Sequence, residues 1–146
     1  MLRPVPKPKK SDRKKTKKPP SRAQLRVMEK QKKKSLIKEL THLYSVASRK
    51  EWSGKCAMCG KAGSAAHHFF GKKACSALRF TLDNLVWLCF ACHIRKVHQE
   101  GLVEPARIAL IKKIGEERFE ELYATAFRRM DWSVEELLEV RSKILG

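Results

Sequence analysis

Residues 56–98 read CAMCGKAGSAAHHFFGKKACSALRFTLDNLVWLCFACHIRKVH. Two Cys-x-x-Cys pairs bracket this stretch, Cys56/Cys59 and Cys89/Cys92, with 29 residues between Cys59 and Cys89. Paired knuckles of this kind are the usual framework of a closed tetrahedral zinc site, because each knuckle turns two thiolates toward one point. Gly60, directly after the first pair, eases the tight turn that such a knuckle needs. Two disulfides or a redox dithiol are the alternatives. The N-terminus has charges but no apolar stretch behind them, which argues against a secretory signal and so against disulfides. Four thiolates leave no open coordination position, so the zinc expected here is structural. Cys75, the fifth cysteine, reads as a small apolar filler.

Between the knuckles lie the residues that can do chemistry. Leu85–Cys89 spells LVWLC, a short strand, and AAHHFF at 65–70 is a second strand. A helix follows from Phe90 to about Gln99, with Gly101 just past its end. His67 and His68 are adjacent, so on a strand they point apart. One can bind a cation while the other faces a water. Asn84 stands where the intervening loop enters the second strand, and His93 directly follows the last cysteine of the zinc set. His98 comes five residues later, about 140° out of phase on an α-helix. It is therefore read either as a ligand or phosphate contact or as a solvated helix residue. Phosphodiester cleavage needs a cation to polarise a phosphoryl oxygen and a base to activate water. A neutral imidazole is such a base near pH 7. One histidine alone is more often a surface or core residue; the ordered set His-His, Asn, Cys-x-x-Cys-His carries more weight.

Outward from this centre the composition changes. The chain has 146 residues and a formal net charge of +18. Residues 1–50 hold 18 basic and 3 acidic side chains, against 15 and 12 in residues 51–146. The excess thus sits at the N-terminus and suits a polyanion: nucleic acid or an anionic membrane face. Residues 1–21, with five of the six prolines and almost nothing apolar, are expected to be a disordered basic arm. Lys14, Lys15, Lys17 and Lys18 on it are candidate phosphate contacts, the alternative being a solubilising tail. Ser21 with Gln24 forms a capping box opening a helix over about 22–48, in a basic, amphipathic segment 22–50. Its apolar stripe begins only at Leu36, so the first half is too basic to bury. Helices are expected over 105–113, after Pro105, and 116–129, past Gly115. A last helix is opened by a second capping box, Ser133 with Glu136. Trp87 and Phe69 read as core. No apolar run approaches the ~18 residues of a spanning helix.

The segments Cys56–Cys59, AHHF at 66–69, DNLV at 83–86 and LCFACH at 88–93 resemble the HNH endonuclease family. The resemblance implies an α+β fold with a ββα-metal core over residues 51–103, tied by the four-cysteine zinc knot and flanked by helices over 104–146. Residues 67–93, then RIALIKKIGEERFEELYA and WSVEELLEV, are similar to the phage NinG/Rap recombination nucleases, which act on branched DNA. Where that family commonly has Gly-His-Tyr, this chain has His67-His68-Phe69, and where Asn commonly follows the last cysteine it has His93. Carried over by position, His68 would be the general base, and His67 and His93 would hold one divalent cation such as Mg²⁺ or Mn²⁺. Asn84 would brace the loop and orient His68 through a backbone hydrogen bond. The resemblance further implies 5′-phosphate and 3′-hydroxyl products, a DNA partner and a phage protein working in the bacterial cytoplasm. Lys72, Lys73 and Arg79, in the loop between the strands, are candidate DNA contacts, the alternative being a solvated basic loop. Two other classes fit the charge and the zinc knot: a non-catalytic nucleic-acid-binding zinc module and a ribosome-associated zinc protein. Neither requires His68, Asn84 and His93 at these spacings.

Overall fold

The computed structural model describes residues 19–146. The expected arm, with Lys14, Lys15, Lys17 and Lys18, falls almost wholly outside the described residues; Pro19, Pro20 and Ser21 are exposed. The elements run α1 (Arg22–Glu51), β1 (Ala65–His68), β2 (Leu85–Leu88), a central helix (Ala91–Gln99), α2 (Glu104–Ile114), α3 (Glu116–Ala126) and α4 (Val134–Leu145). Two short 3-10 turns, Ser76–Leu78 and Leu82–Asn84, lie between the strands. The result is a helix-dominated α+β molecule with one small sheet.

α1 starts at the anticipated capping box: the Gln24 amide donates to Ser21 Oγ at 3.3 Å, and the Ser21 amide donates to Gln24 Oε1 at 2.7 Å. Its first half is exposed, Leu25 and Met28 included, and burial begins at Leu36 and Leu40. Those two leucines pack with Phe80, Val134 and Leu137, so α4 is the partner of the second half of α1. The helix runs to Glu51, three residues beyond the expected end. Trp52 then closes it, and its indole N–H donates to the Leu85 carbonyl at 3.0 Å, pinning the helix end to β2.

The strands are antiparallel, with His67 opposite Val86 and His68 opposite Leu85. All four β2 residues are buried, as a continuous apolar run requires, whereas β1 is half-buried throughout. β1 stops at His68, not Phe70, because Asn84 takes over the pairing. The Phe69 amide donates to the Asn84 carbonyl and the Phe70 amide to Asn84 Oδ1. β2 ends at Leu88 rather than Cys89. Gly63 lies against β2, where an added Cβ would sit 2.2 Å from Trp87 Cδ1, so only glycine permits that approach. Two strands are marginal alone; here Val86 and Leu88 join Cys56, Cys92, Val97, Leu110 and Phe119 in one core cluster. Trp87 is buried, as read, and Cys75 fills a second cluster with Leu78, Leu122 and Ala126.

Two further expectations are corrected. α3 ends at Ala126, not 129, because the chain after it is captured by Ser76. The Met130 amide donates to Ser76 Oγ at 2.6 Å and the Trp132 indole N–H to the Ser76 carbonyl at 3.0 Å. The helix after β2 is a π-helix over Ala91–Gln99, not an α-helix. Its closing bond, from the Glu100 amide to the Arg95 carbonyl, spans five residues at 3.0 Å.

Candidate metal centres

The first knuckle is a small hairpin. The Cys56 amide donates to the Lys61 carbonyl at 2.7 Å and the Gly60 amide to the Cys56 carbonyl at 2.8 Å, with Gly60 at φ +72°. The second knuckle is the junction of β2 and the central helix. The Ala57 amide donates to the Trp87 carbonyl at 2.9 Å, which docks one knuckle on the other. All four sulfurs lie within 4.8 Å of one another, and Cys59 Sγ and Cys89 Sγ are 3.7 Å apart. Zn–S bonds of about 2.3 Å at tetrahedral angles place sulfurs about 3.7–3.8 Å apart, so the cluster could hold a metal such as zinc. The donor chemistry agrees. Burial pushes the Cys92 thiol up to about 12, with the neighbouring cysteine side chains adding to it. Burial acts on Cys56 in the same direction, but the backbone amides of Cys89, Cys59 and Met58 outweigh it and lower that thiol to about 7. Crowded sulfurs of this kind ionise together only around a cation.

The second centre is the histidine cluster. β1 carries His67, and the central helix carries His93 and His98. One ring nitrogen from each lies within 4.8 Å of the others, and His93 Nε2 and His98 Nε2 are 3.1 Å apart. On an α-helix His98 would lie about 140° from His93. The wider π-helical turn, bonded i→i+5, instead sets residues five apart near one another on successive turns, which brings His98 beside His93 and toward His67. Burial, then the neighbouring His93, His98 and His68, lowers His67 to about 4. Burial and the nearby His98 lower His93. Neutral imidazoles are what a cation requires, and three of them fit one.

His68 points elsewhere, as alternation along β1 demands. Its Nε2 lies 2.9 Å from the Arg79 carbonyl. A carbonyl only accepts, so Nε2 carries the proton and Nδ1 keeps its lone pair. Burial lowers its affinity for a second proton, assisted by the charges of Lys72 and Arg79 and opposed by the carbonyl of Arg79. The residue lines a cleft of about 510 Å³ with His67, His93, His98, Lys72 and Lys73. Asn84 is fully buried, is not part of the cleft lining, and bonds to loop backbone rather than to the His68 ring. Its Oδ1 accepts from the Phe70 amide at 2.8 Å, and its Nδ2 donates to the carbonyls of Phe70 and Leu78, each at 3.1 Å. Asn84 thereby clamps both ends of the loop that presents the Arg79 carbonyl. Arg79 itself faces a different groove, against α1. The sequence reading missed that groove, since its α1 residues lie some 40 positions from the loop.

The family model described as bacteriophage lambda NinG protein matches residues 4–146. The chain belongs to the NinG family. Curated relatives named protein ninG come from Escherichia phage 933W and Enterobacteria phage VT2-Sa, each 33% identical over 91 residues, and from Escherichia phage lambda, 31% identical over 91 residues. The aligned stretch covers 60% of this NinG-family chain and 43% of each relative, so the chain spans less than half the length of the curated relatives it matches. No solved structure matches it. Among the described residues, no helix is long and apolar enough to cross a membrane.

Proposed function

We propose that this NinG-family chain is a metal-dependent HNH endonuclease, with β1, β2 and the central helix as its ββα-metal core. It hydrolyses DNA phosphodiester bonds in duplex or branched DNA, as a phage protein in the host cytoplasm. The observation that carries the reading is the shared cleft: a neutral histidine with a free Nδ1 stands beside three histidines able to hold one cation.

His67, His93 and His98 would hold a cation, and such a cation would supply Lewis-acid stabilisation of charge on the phosphate. His68 takes a proton from the attacking water at Nδ1, while the Arg79 carbonyl keeps its Nε2–H and ring orientation in place. Asn84 is a positioning residue that acts through the loop backbone. Lys72 and Lys73, exposed at the cleft rim, attract the phosphate. The four-cysteine site stays structural.

The test is nicking of supercoiled plasmid with Mg²⁺ or Mn²⁺, beside a His68→Ala variant. Loss of a general base costs about 10²–10⁴ in rate, so the variant should be nearly inactive while binding DNA and melting like the parent. Equal nicking by both proteins removes His68 from the chemistry. No nicking by the parent on single strand, duplex, flap or four-way junction returns the chain to the non-catalytic zinc-module class.

A further inference from the structure

The loop that holds His68 has a second face. Between it and α1 runs an open groove of about 790 Å³. On the helix side it is lined by residues that include Gln31, Lys34, Lys38 and Ser45, and on the loop side by Lys72 and Arg79. Spacings of three, four and seven put these α1 residues on one face. From Gln31 to Ser45 that face extends about 21 Å, the axial length of about six phosphates on one DNA strand.

The lining of this face carries charge of one sign only. No carboxylate lines the groove. Lys33, Arg107, Lys113, Arg118 and Arg141, outside it, each meet a carboxylate, whereas other exposed cations of the described residues, such as Lys112 and Lys143, stand singly and away from any such concavity. Among the described residues, none of Lys34, Lys38, Lys72 and Arg79 has an acidic partner. Arg79 Nε is moreover buried with no hydrogen-bond partner among them. A buried donor left unsatisfied is costly, and four uncompensated cations around a concavity focus a positive potential into it. An anion answers the potential, and the exposed ammonium groups of Lys34, Lys38 and Lys72 are what it meets first.

The groove is continuous with the histidine cleft. Lys72 lines both. Arg79 joins them through one residue, its carbonyl holding His68 and its side chain facing the groove. We propose that the groove between α1 and the Lys72–Arg79 loop seats the phosphodiester backbone of a DNA strand and leads it into the histidine cleft. The destination of the strand rests on the nuclease reading; the binding of its backbone does not. Arg79 would then sense phosphate occupancy on one side and orient the base on the other. The polar face of α1 is a DNA-binding element rather than a solvated surface.

The experiment measures binding of the full chain to a labelled DNA duplex by fluorescence anisotropy across a salt series, with no divalent cation added. Each neutralised phosphate contributes about 0.9 to the log–log salt slope on duplex DNA. Lys34→Gln/Lys38→Gln should flatten the slope by about 1.8, and Arg79→Gln by a further ~0.9. Both lysines are exposed, so the double variant should fold as the parent does. Lys112→Gln/Lys143→Gln, an equal loss of charge at exposed positions outside the groove, should leave the slope unchanged. Equal flattening by the two double variants would reduce the effect to bulk charge and overturn the proposal. So would an unchanged slope in Lys34→Gln/Lys38→Gln. Because no cleavage is read, a failed nuclease assay and a failed groove give different results.

Discussion

The chain builds two candidate metal centres on the same strand pair and central helix, and they differ in burial, donor chemistry and openness. The sulfur cluster joins two tight knuckles, and Cys56 and Cys92 are buried in the main core. The histidine cluster joins one strand to one helix and opens on a cleft lined by lysines. Four thiolates close a coordination sphere, whereas three imidazoles leave positions for water or substrate. Closure suits a staple and openness suits chemistry. The central helix serves both, with Cys92 and His93 adjacent at its start. A metal at the first centre would therefore hold the helix that presents two ligands of the second.

The comparison is most severely tested at the sulfur centre. Cys92→Ser should unfold the central domain, because binding energies of roughly 10 kcal/mol or more are folding energy in small zinc modules. Circular dichroism and zinc analysis of the purified variant would show it. A zinc-free variant with parental ellipticity and melting would mean that the apolar core alone suffices, and the contrast between the two centres would collapse.

Asn84→Ala stands next. It removes an amide making three hydrogen bonds to loop backbone, leaving an amide N–H and two carbonyls without that partner. At about 1–3 kcal/mol for an unsatisfied buried group, a loss of roughly 3 kcal/mol is expected in denaturant unfolding. Asn84→Asp keeps the acceptor for Phe70 but sets a buried carboxyl oxygen against the carbonyls of Phe70 and Leu78, so its loss should be at least as large. A clearly smaller loss in Asn84→Asp would shift the weight from the donated hydrogen bonds to packing.

The smallest effect belongs to the open centre. His98→Ala should weaken binding of Mn²⁺ at the histidines by at least about 10- to 100-fold, the range for loss of a group that merely supports a ligand. Calorimetric titration of the zinc-replete protein reads it. Zinc content and melting should stay parental, since His98 is exposed. Parental Mn²⁺ affinity would show that His67 and His93 suffice and that His98 is a solvated helix residue after all.

Much of this molecule is local, and its local parts were legible. Both capping boxes appear where Ser21/Gln24 and Ser133/Glu136 stand three apart, because that motif is completed within one turn. The two Cys-x-x-Cys turns, the LVWL strand and the late onset of burial along α1 follow equally from short-range spacing. Boundaries failed where a distant group intervened. Ser76 captured the residues after α3, and the Asn84 side chain displaced the last pairs of β1.

Residue type and spacing alone carry the chemical inventory: four thiolates in two knuckles, a His-His pair on a strand, a basic N-terminal segment and the order of elements. Nearest-neighbour chemistry and periodicity are enough for that. Tertiary structure decided which of these groups meet. His98 reaches His93 because the central helix is wound as a π-helix, a choice made by packing that a 100° phase rule cannot foresee. The Arg79 carbonyl reaches His68, and the Arg79 side chain faces α1, only because Asn84 closes the intervening loop on itself. These contacts join residues far apart in the chain. They form when burial of the shared core brings α1, the loop and the strands together, and no window of sequence contains them.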